Sequence, residues 1–205
     1  MQQDKKNRTG NKGQIFYNVI GYISIFAIIL CFFYLGFKIT GHATSEDTAI
    51  VNVTITSTTA INFTTDFINF GSGAVNTGAS SATLDTEGTV TGGTWTPINT
   101  NFTLENIGNT PVSLTLKVGK TAAEYLGGTS PSYQFKFSNS EATSCTNASA
   151  TGVWTATATT DINLCSLFNS ADNNDTINIG VRLVIPSDSL TGTQTDTFTA
   201  TGTTL

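Results

Sequence analysis

The side chains that most often carry enzyme chemistry are scarce in this chain. Its 205 residues include one histidine, His42, and three cysteines, Cys31, Cys145 and Cys165. A Ser-His-Asp or Cys-His arrangement needs a histidine beside its nucleophile, and most zinc sites need several histidine or cysteine ligands. His42 stands far from both later cysteines in the sequence. The sequence therefore favours a non-catalytic protein, and we predict no catalytic residue, no metal site and no cofactor.

Carboxylates and tryptophans offer the remaining alternatives for a site. Asp85 and Glu87 are two apart and would share one face of a strand, as the acid pair of a glycoside hydrolase could, although a solvated loop is the simpler interpretation. The run Asp172-Asn173-Asn174-Asp175 clusters oxygen ligands suited to Ca²⁺, yet it lacks the spacing and terminal Glu of a calcium loop and is typical of a turn. Trp95 and Trp154 could form a carbohydrate platform, but in a small β domain tryptophans usually belong to the core.

Cys145 and Cys165 predict a disulfide. They are the only cysteines after the apolar N-terminal segment, and an exported domain is in an oxidising environment. The bond would close a loop of about 21 residues, worth roughly 3 kcal/mol by the loop-entropy estimate. Cys31 lies inside the apolar segment and is interpreted as an ordinary small apolar residue.

Asn-x-Ser/Thr sequons add a second sign of export, because N-glycosylation is a modification of secreted proteins. Such matches also arise by chance in a chain rich in Asn and Thr. Sites within strands could be occupied only where the side chain faces outward. The candidate glycosylation sites are Asn52, Asn62, Asn101, Asn147 and Asn174.

One apolar segment near the N-terminus predicts a membrane helix. Residues 14–37 carry no charge, and the run 19–37 approaches the roughly 20 apolar residues that cross a bilayer. Basic residues precede it, so the positive-inside rule places residues 1–13 in the cytoplasm and the remainder outside. We predict four regions, which are a basic cytoplasmic tail (1–13), a transmembrane helix or signal segment (14–38), a linker (39–47) and a β-sandwich ectodomain (48–205).

Three interpretations of the apolar segment remain open. Its length favours an uncleaved signal-anchor, because secretory signals have an apolar core of about 7–15 residues. The small residues of Gly41-His42-Ala43 are compatible with cleavage after Ala43 and release of a secreted domain. The third interpretation comes from Asn11-Lys12-Gly13-Gln14, which resembles the processing site of archaeal type IV pilins. That resemblance implies a pilin-like subunit that begins at Gln14, although Asn18 stands where bacterial pilins carry a Glu.

Charge is distributed unevenly along the chain. From Thr44 onward four basic residues face thirteen carboxylates, a formal net charge of −9. An acidic surface repels phosphate backbones, so nucleic acid is not expected as a partner. The expected partners are the membrane and, in addition, other copies of the chain in a filament or surface layer, or cell-surface glycans.

Alternating apolar and polar residues predict an all-β ectodomain. Thr, which suits a half-exposed sheet face, accounts for 39 of the 205 residues. Gly, Asn and Pro turn signals separate the alternating runs, so we predict a two-sheet sandwich of immunoglobulin-like or jelly-roll type. The runs 101–107 and 112–118, joined across residues 108–111, predict a hairpin. Residues 71–93 predict a long surface connection with at most one short strand near Ala82. The predicted strands are 50–56, 101–107, 112–118, 133–138, 153–157, 177–185 and 195–200.

Three stretches carry a family resemblance. Ile61-Asn62-Phe63, the segment 104–109 (LENIGN) and Val184-Ile185-Pro186-Ser187 resemble secreted or membrane-anchored β-sandwich surface proteins of archaea, and the Asn-x-Gly step is similar to turns of fibre-forming sandwiches related to camelysin. The resemblance implies a location and a fold, and no active site. The leading hypothesis is a non-catalytic structural or adhesive surface protein. The alternatives are a pilin-like or donor-strand filament subunit, and a carbohydrate-binding module or hydrolase with an unrecognised site.

Overall fold

The structure is a computed structural model that describes residues 4–39, 50–148 and 151–205. The chain divides into two compact units, residues 1–53 and residues 54–205. The first contains one long helix and the second is a β domain. Each unit is described by itself below.

Helix α1 runs from Asp4 to Ile39. Its stretch Tyr17–Tyr34 has 18 residues with a mean hydropathy of 1.9 and none of them is buried, and it would measure about 27 Å at 1.5 Å per residue. Apolar side chains occupy every face of this stretch, a pattern that suits a lipid environment. The predicted N-terminal apolar helix is therefore present. Apart from Ile39, the predicted linker 39–47 lies outside the described residues, as does the predicted cleavage site at Ala43.

The β domain contains two antiparallel sheets and one short helix, α2, at Ala122–Leu126. Thr121 and Glu124 form a capping box at the start of α2. The first sheet contains β1 (Asn62–Thr65), β2 (Ser81–Asp85), β3 (Val90–Thr91), β4 (Phe102–Glu105), β6 (Ser132–Asn139), β8 (Thr155–Ala156) and β10 (Thr176–Pro186), and the second contains β5 (Val112–Val118), β7 (Cys145–Ala148), β9 (Ile162–Phe168) and β11 (Phe198–Thr204).

Strand β10 organises the first sheet. One side of this 11-residue strand pairs with β4 through Thr176–Ile179 and then with β2 through Arg182–Pro186, while the other side pairs with β6. Strands β1, β3 and β8 extend the sheet from β4, β2 and β6, respectively. The second sheet has the order β11-β5-β9-β7. Three strands thus share β10, and the first sheet is branched and curled.

Side chains from both sheets form the core, which consists of two clusters of buried residues with the half-buried Phe102 and Phe198 packed against both. Leu104, Phe137 and Ile177 from the first sheet pack in the same cluster as Leu114 and Leu164 from the second. All five are at most 1% exposed. The alternation in β5, β6 and β10 places every second residue in this core. The predicted all-β domain with two packed antiparallel sheets and one N-terminal apolar helix is thus confirmed at this level.

The predicted hairpin between 101–107 and 112–118 is wrong. Strand β4 pairs with β1 and β10, whereas β5 pairs with β11 and β9 in the other sheet. The connection is an arch between the sheets, held by the buried Asn106, whose amide donates to Thr110 O (3.1 Å) and Phe168 O (3.2 Å). The turn residues were recognised correctly, but they reverse the chain across the core instead of along one sheet.

Two other expectations differ from the structure. Residues 71–93 were predicted to be a long surface connection with at most one short strand near Ala82. That strand is present as β2 but is buried beside the central strand, and a second strand, β3, follows it. Residues 50–56, predicted as a strand, belong to no ladder. Strand β9, which the sequence analysis missed, has two consecutive buried residues, Leu164 and Cys165, and so lacks clean alternation.

Candidate functional site

A group of charged and aromatic side chains lies together on the first sheet. It comprises Asp85, Glu87, Lys136, Trp154 and Arg182, and we call it the Trp154 cluster. Strand β10 turns Ile179 and Val181 into the core, and alternation therefore turns Arg182 outward. Its register partner on β2 is Asp85.

Two cationic side chains of the protein itself contact the Trp154 ring. The Arg182 guanidinium carbon lies 4.1 Å from the ring centroid, and Lys136 Nζ lies 4.8 Å from it. Arg182 Nη2 also donates to Asp85 Oδ2 at 3.1 Å, and Lys136 forms an ion pair with Glu87. A sugar platform needs an aromatic face free for the ligand, so this arrangement does not favour a carbohydrate role for Trp154.

The carboxyl of Asp85 is buried and held in its charged form. Burial by itself raises the pKa of Asp85, but hydrogen bonds from the Thr89 backbone, from Arg182 and from the Glu87 backbone outweigh it and leave the pKa below its ordinary value. A general acid in glycoside hydrolysis needs the opposite shift. The interpretation of Asp85 as part of a solvated loop is wrong, because the residue is 1% exposed and belongs to a structural ion pair.

Trp95 packs on glycine backbone. A Cβ placed on Gly93 would lie 2.7 Å from Trp95 Cε3 and 2.9 Å from the Ala82 methyl, and one on Gly73 would also collide with the indole. Contacts this close leave no room for a side chain, so both glycines are required for the ring to lie flat. Trp95 is half-buried and lies outside both core clusters, where it covers the backbone at residues 73 and 93.

A shallow cleft of about 310 Å³ is lined by Gly119, Lys120, Thr195, Asp196 and Thr197. Lys120 Nζ donates to Thr195 O at 2.7 Å. Two tyrosines interact with Asp196. Burial is the main cause, and the negative charge of Asp196 the second cause, that raises the pKa of the Tyr133 hydroxyl and that of the Tyr125 hydroxyl. Both phenols thus stay protonated at neutral pH, and neither can act as a base.

The candidate calcium run 172–175 forms a turn. Asn173 has a positive φ of 72°, which Asn tolerates in turns. Asp175 is buried, its backbone N–H donates to Glu141 Oε2 (3.0 Å), and its own carboxylate accepts from Thr176 Oγ1 (3.1 Å). Within the part of the chain that the structure describes, no group of three His, Cys, Asp or Glu side chains is gathered.

The candidate glycosylation sites differ in accessibility. Asn52 and Asn62 are exposed, whereas Asn101 and Asn174 are half-buried. Asn101 Oδ1 also accepts a hydrogen bond of 2.5 Å from Thr86 Oγ1. For Asn147 the side chain lies outside the described part. Exposure therefore favours Asn52 and Asn62 as the sites that an enzyme could reach.

The paired cysteines join the edge of the second sheet. Cys145 on β7 and Cys165 on β9 are bonded, with Cα atoms 5.6 Å apart, and are 5% and 0% exposed. Cys31, in the apolar helix, is free. The bond fixes β7, a four-residue strand with one neighbour, to the core strand β9.

Removing the disulfide is expected to lower the free energy of unfolding by about 3 kcal/mol, since the unfolded chain regains the freedom of the closed loop. The measurement is urea unfolding of the full chain in detergent, comparing Cys145→Ala/Cys165→Ala with wild type. Tryptophan fluorescence reports on the β domain alone, because Trp95 and Trp154 are the only tryptophans and both lie there. Cys31→Ala is the control and should leave the transition unchanged. Unaltered stability of the double variant would contradict the expectation.

Comparison of the chain with protein family models, curated proteins and solved structures finds no match.

Proposed function

We propose that this chain is a non-catalytic structural or adhesive protein of the cell surface, held by its N-terminal helix with the β domain outside. The observation that carries the proposal is the Tyr17–Tyr34 stretch, which is uncharged, apolar on every face and wholly unburied. In water such a helix would expose a large continuous apolar surface, whereas lipid accommodates it. The basic residues that precede it then orient the chain with its N-terminus inside.

Features of the β domain support an outside location. A disulfide joins Cys145 to Cys165, and such bonds persist in oxidising compartments. The acidic, Thr-rich surface suits solubility at a cell surface. The Trp154 cluster, the cleft beside Asp196 and the 172–175 turn each have a structural explanation, so a scaffold or adhesive role accounts for them more simply than an active site does.

The proposal also includes the finer expectations from the sequence. We assign the β domain to the immunoglobulin-like or jelly-roll type of sandwich, on the ground that its central strand β10 pairs with strands distant in the sequence. We also retain the resemblance to archaeal surface proteins and the glycoprotein character, with the exposed Asn52 and Asn62 as the preferred sites. Membrane lipid, other copies of the chain and cell-surface glycans are the proposed partners.

Thiol labelling of intact cells tests the proposed topology. Two reporters are placed in a Cys31→Ala background, namely Thr193→Cys in an exposed loop of the β domain and Asn7→Cys before the apolar stretch. A membrane-impermeant maleimide is expected to label Thr193→Cys in intact cells and Asn7→Cys only after permeabilisation. Cys145 and Cys165 do not react while bonded. Labelling of Asn7→Cys alone in intact cells, or of neither reporter, would overturn the proposal.

The N-terminus of the mature protein distinguishes the three interpretations of the apolar segment. Mass spectrometry of the purified chain is expected to find Met1 retained, as an anchor requires. A start at Gln14 would instead indicate pilin-like processing, and a start at Thr44 would indicate a secreted domain without the anchor.

A further inference from the structure

Residues 50–56 have the pattern of a strand but pair with no strand. Ile50, Val51, Val53 and Ile55 are 79–91% exposed, and Asn52 and Thr54 alternate with them. Four exposed β-branched residues in such a short run are unusual for a soluble surface, and β-branched residues favour strands. We call residues 50–56 the unpaired segment.

Strand β11 offers the one long open edge in the described residues. It pairs with β5 over seven residues without a bulge, and nothing pairs with its other side. It contains no charge and no proline, the usual devices that protect an edge. The other edges are protected by brevity, since β3 and β8 have two residues each and β1 and β7 have four, with a register shift in β1.

Alternate residues of β11 direct their backbone hydrogen-bonding groups toward the free edge. Gly119 N donates to Thr197 O across the β5–β11 pair. Hydrogen-bonded and non-hydrogen-bonded pairs alternate in antiparallel sheets, so Thr199 and Thr201 turn their backbone groups toward β5. Phe198, Ala200 and Gly202 therefore turn theirs toward the open side.

An apolar rim borders this edge. Phe198 and Phe102 have ring centroids 5.2 Å apart, and Phe102 and Phe63 have centroids 5.8 Å apart. These rings and Ala200 are half-buried and pack against the core. A strand added to β11 would cover the rim with every second side chain, which in the unpaired segment are Val51, Val53 and Ile55.

We propose that the unpaired segment of one copy of this chain adds as a strand to the free edge of β11 in a second copy. Both strands have seven residues and no charge, and strand addition is an established mode of recognition. A second copy is the partner because, within the single chain, the Ile55 side chain remains 81% exposed. The end of the unpaired segment is fixed to its own β domain by the Asn109 side chain. Thr58 N donates to Asn109 Oδ1 (2.6 Å), and Asn109 Nδ2 donates to Thr56 O (2.9 Å).

Each copy has one segment to donate and one edge to fill, so the contact is head-to-tail and propagates. The inference deepens the proposed function by naming the partner, and it rests on that function because anchored copies share one surface. The contact would place Asn52 and Thr54 on the outer face, where a glycan on Asn52 would not obstruct it.

Crosslinking of two proteins that each carry one free cysteine tests the contact, since Cys145 and Cys165 remain bonded to each other. Full-length Thr54→Cys and Thr201→Cys, both in a Cys31→Ala background, are mixed in detergent and treated with a short bis-maleimide. The outward positions of Thr54 and Thr201 tolerate an error in register. The expected product is a crosslinked peptide pair that joins the two different proteins. A chain that carries both cysteines is expected to form a ladder of multimers.

Proline substitutions test whether the backbone makes the contact. Val53→Pro removes a donor from the unpaired segment, and Ala200→Pro removes one from the open side of β11 without touching the β5 ladder. Each is expected to reduce crosslinking at least tenfold, and Val53→Ile is the matched control that should retain it. Val53 lies outside every strand, so its variant remains informative if Ala200→Pro fails to fold.

Three results would overturn the proposal. They are crosslinking confined to a single chain, no crosslinking in the mixture, and equal yields from Val53→Pro and Val53→Ile. Failure of the surface assignment is recognised separately. It would appear in the labelling of Thr193→Cys in cells, whereas the crosslinking is measured in detergent.

Discussion

Lysine at both Ile25 and Ile28 is expected to abolish stable membrane insertion of the full chain. The two residues lie near the middle of the Tyr17–Tyr34 stretch, where each lysine costs about 2.5–3.5 kcal/mol on the insertion scale. Together they would cost about 5–7 kcal/mol, a change of at least three orders of magnitude in the insertion equilibrium. No acidic residue within the stretch could neutralise them.

The measurement is the fraction of the chain that resists alkaline extraction of isolated membranes. Wild type should remain in the pellet, and Ile25→Lys/Ile28→Lys should move to the supernatant or be degraded. Ile25→Leu/Ile28→Leu is the matched control, because it keeps the apolar character at the same positions. A double-lysine variant that resists extraction as wild type does would show that the stretch is not what holds the chain in the membrane.

The sequence predicted best those strands whose alternation is regular. In β5 and β6 buried residues recur at every second position. In β10 the apolar side chains Ile177, Ile179, Val181 and Leu183 do the same, although Gly180 between them is also buried. Strand β9 was missed because its pairing with β5 shifts register between Val112 and Leu114 and again before Thr115. A bulge moves the following side chains to the other face, so a period-two pattern in the sequence disappears.

Contacts between residues that are distant in the sequence were the other feature that sequence reasoning could not predict. Local turn chemistry located the connection at 108–111, but its course between the two sheets also depends on Phe168, which accepts a hydrogen bond from Asn106, 62 residues earlier. Likewise, Asp85 and Arg182 are 97 residues apart, and no local pattern links them. The Trp154 cluster could not be predicted, since its members come from four separate segments that only the sheet register brings together.

Removal of Arg182 is expected to destabilise the β domain strongly, by about as much as removal of the disulfide. Arg182→Ala would leave the Asp85 carboxylate, 1% exposed, without its cation, and would also remove the contact with Trp154. Breaking a buried ion pair from one side typically costs about 3–5 kcal/mol. We expect a loss at the lower end of that range at pH 7, because the Arg182 side chain is 29% exposed. Urea unfolding followed by tryptophan fluorescence measures it.

Lys136→Ala is the matched control. Lys136 contacts the same Trp154 ring and also pairs with an acid, but Glu87 is 40% exposed, and exposed pairs contribute about 1 kcal/mol or less. The loss should therefore be several times smaller than for Arg182→Ala. Equal losses would indicate that packing on Trp154, and not the burial of Asp85, determines the effect.

The pH dependence separates charge from packing in the Arg182→Ala variant. Because the pKa of Asp85 is lowered in the folded state, its stabilising contribution in wild type is fully present above the ordinary value near 4 and is lost as the pH falls through the lowered value. Once protonated, Asp85 no longer needs a cation. The difference in stability between wild type and Arg182→Ala should thus shrink as the pH falls below about 4. A packing defect would persist at low pH. A difference that is independent of pH would therefore contradict the electrostatic explanation.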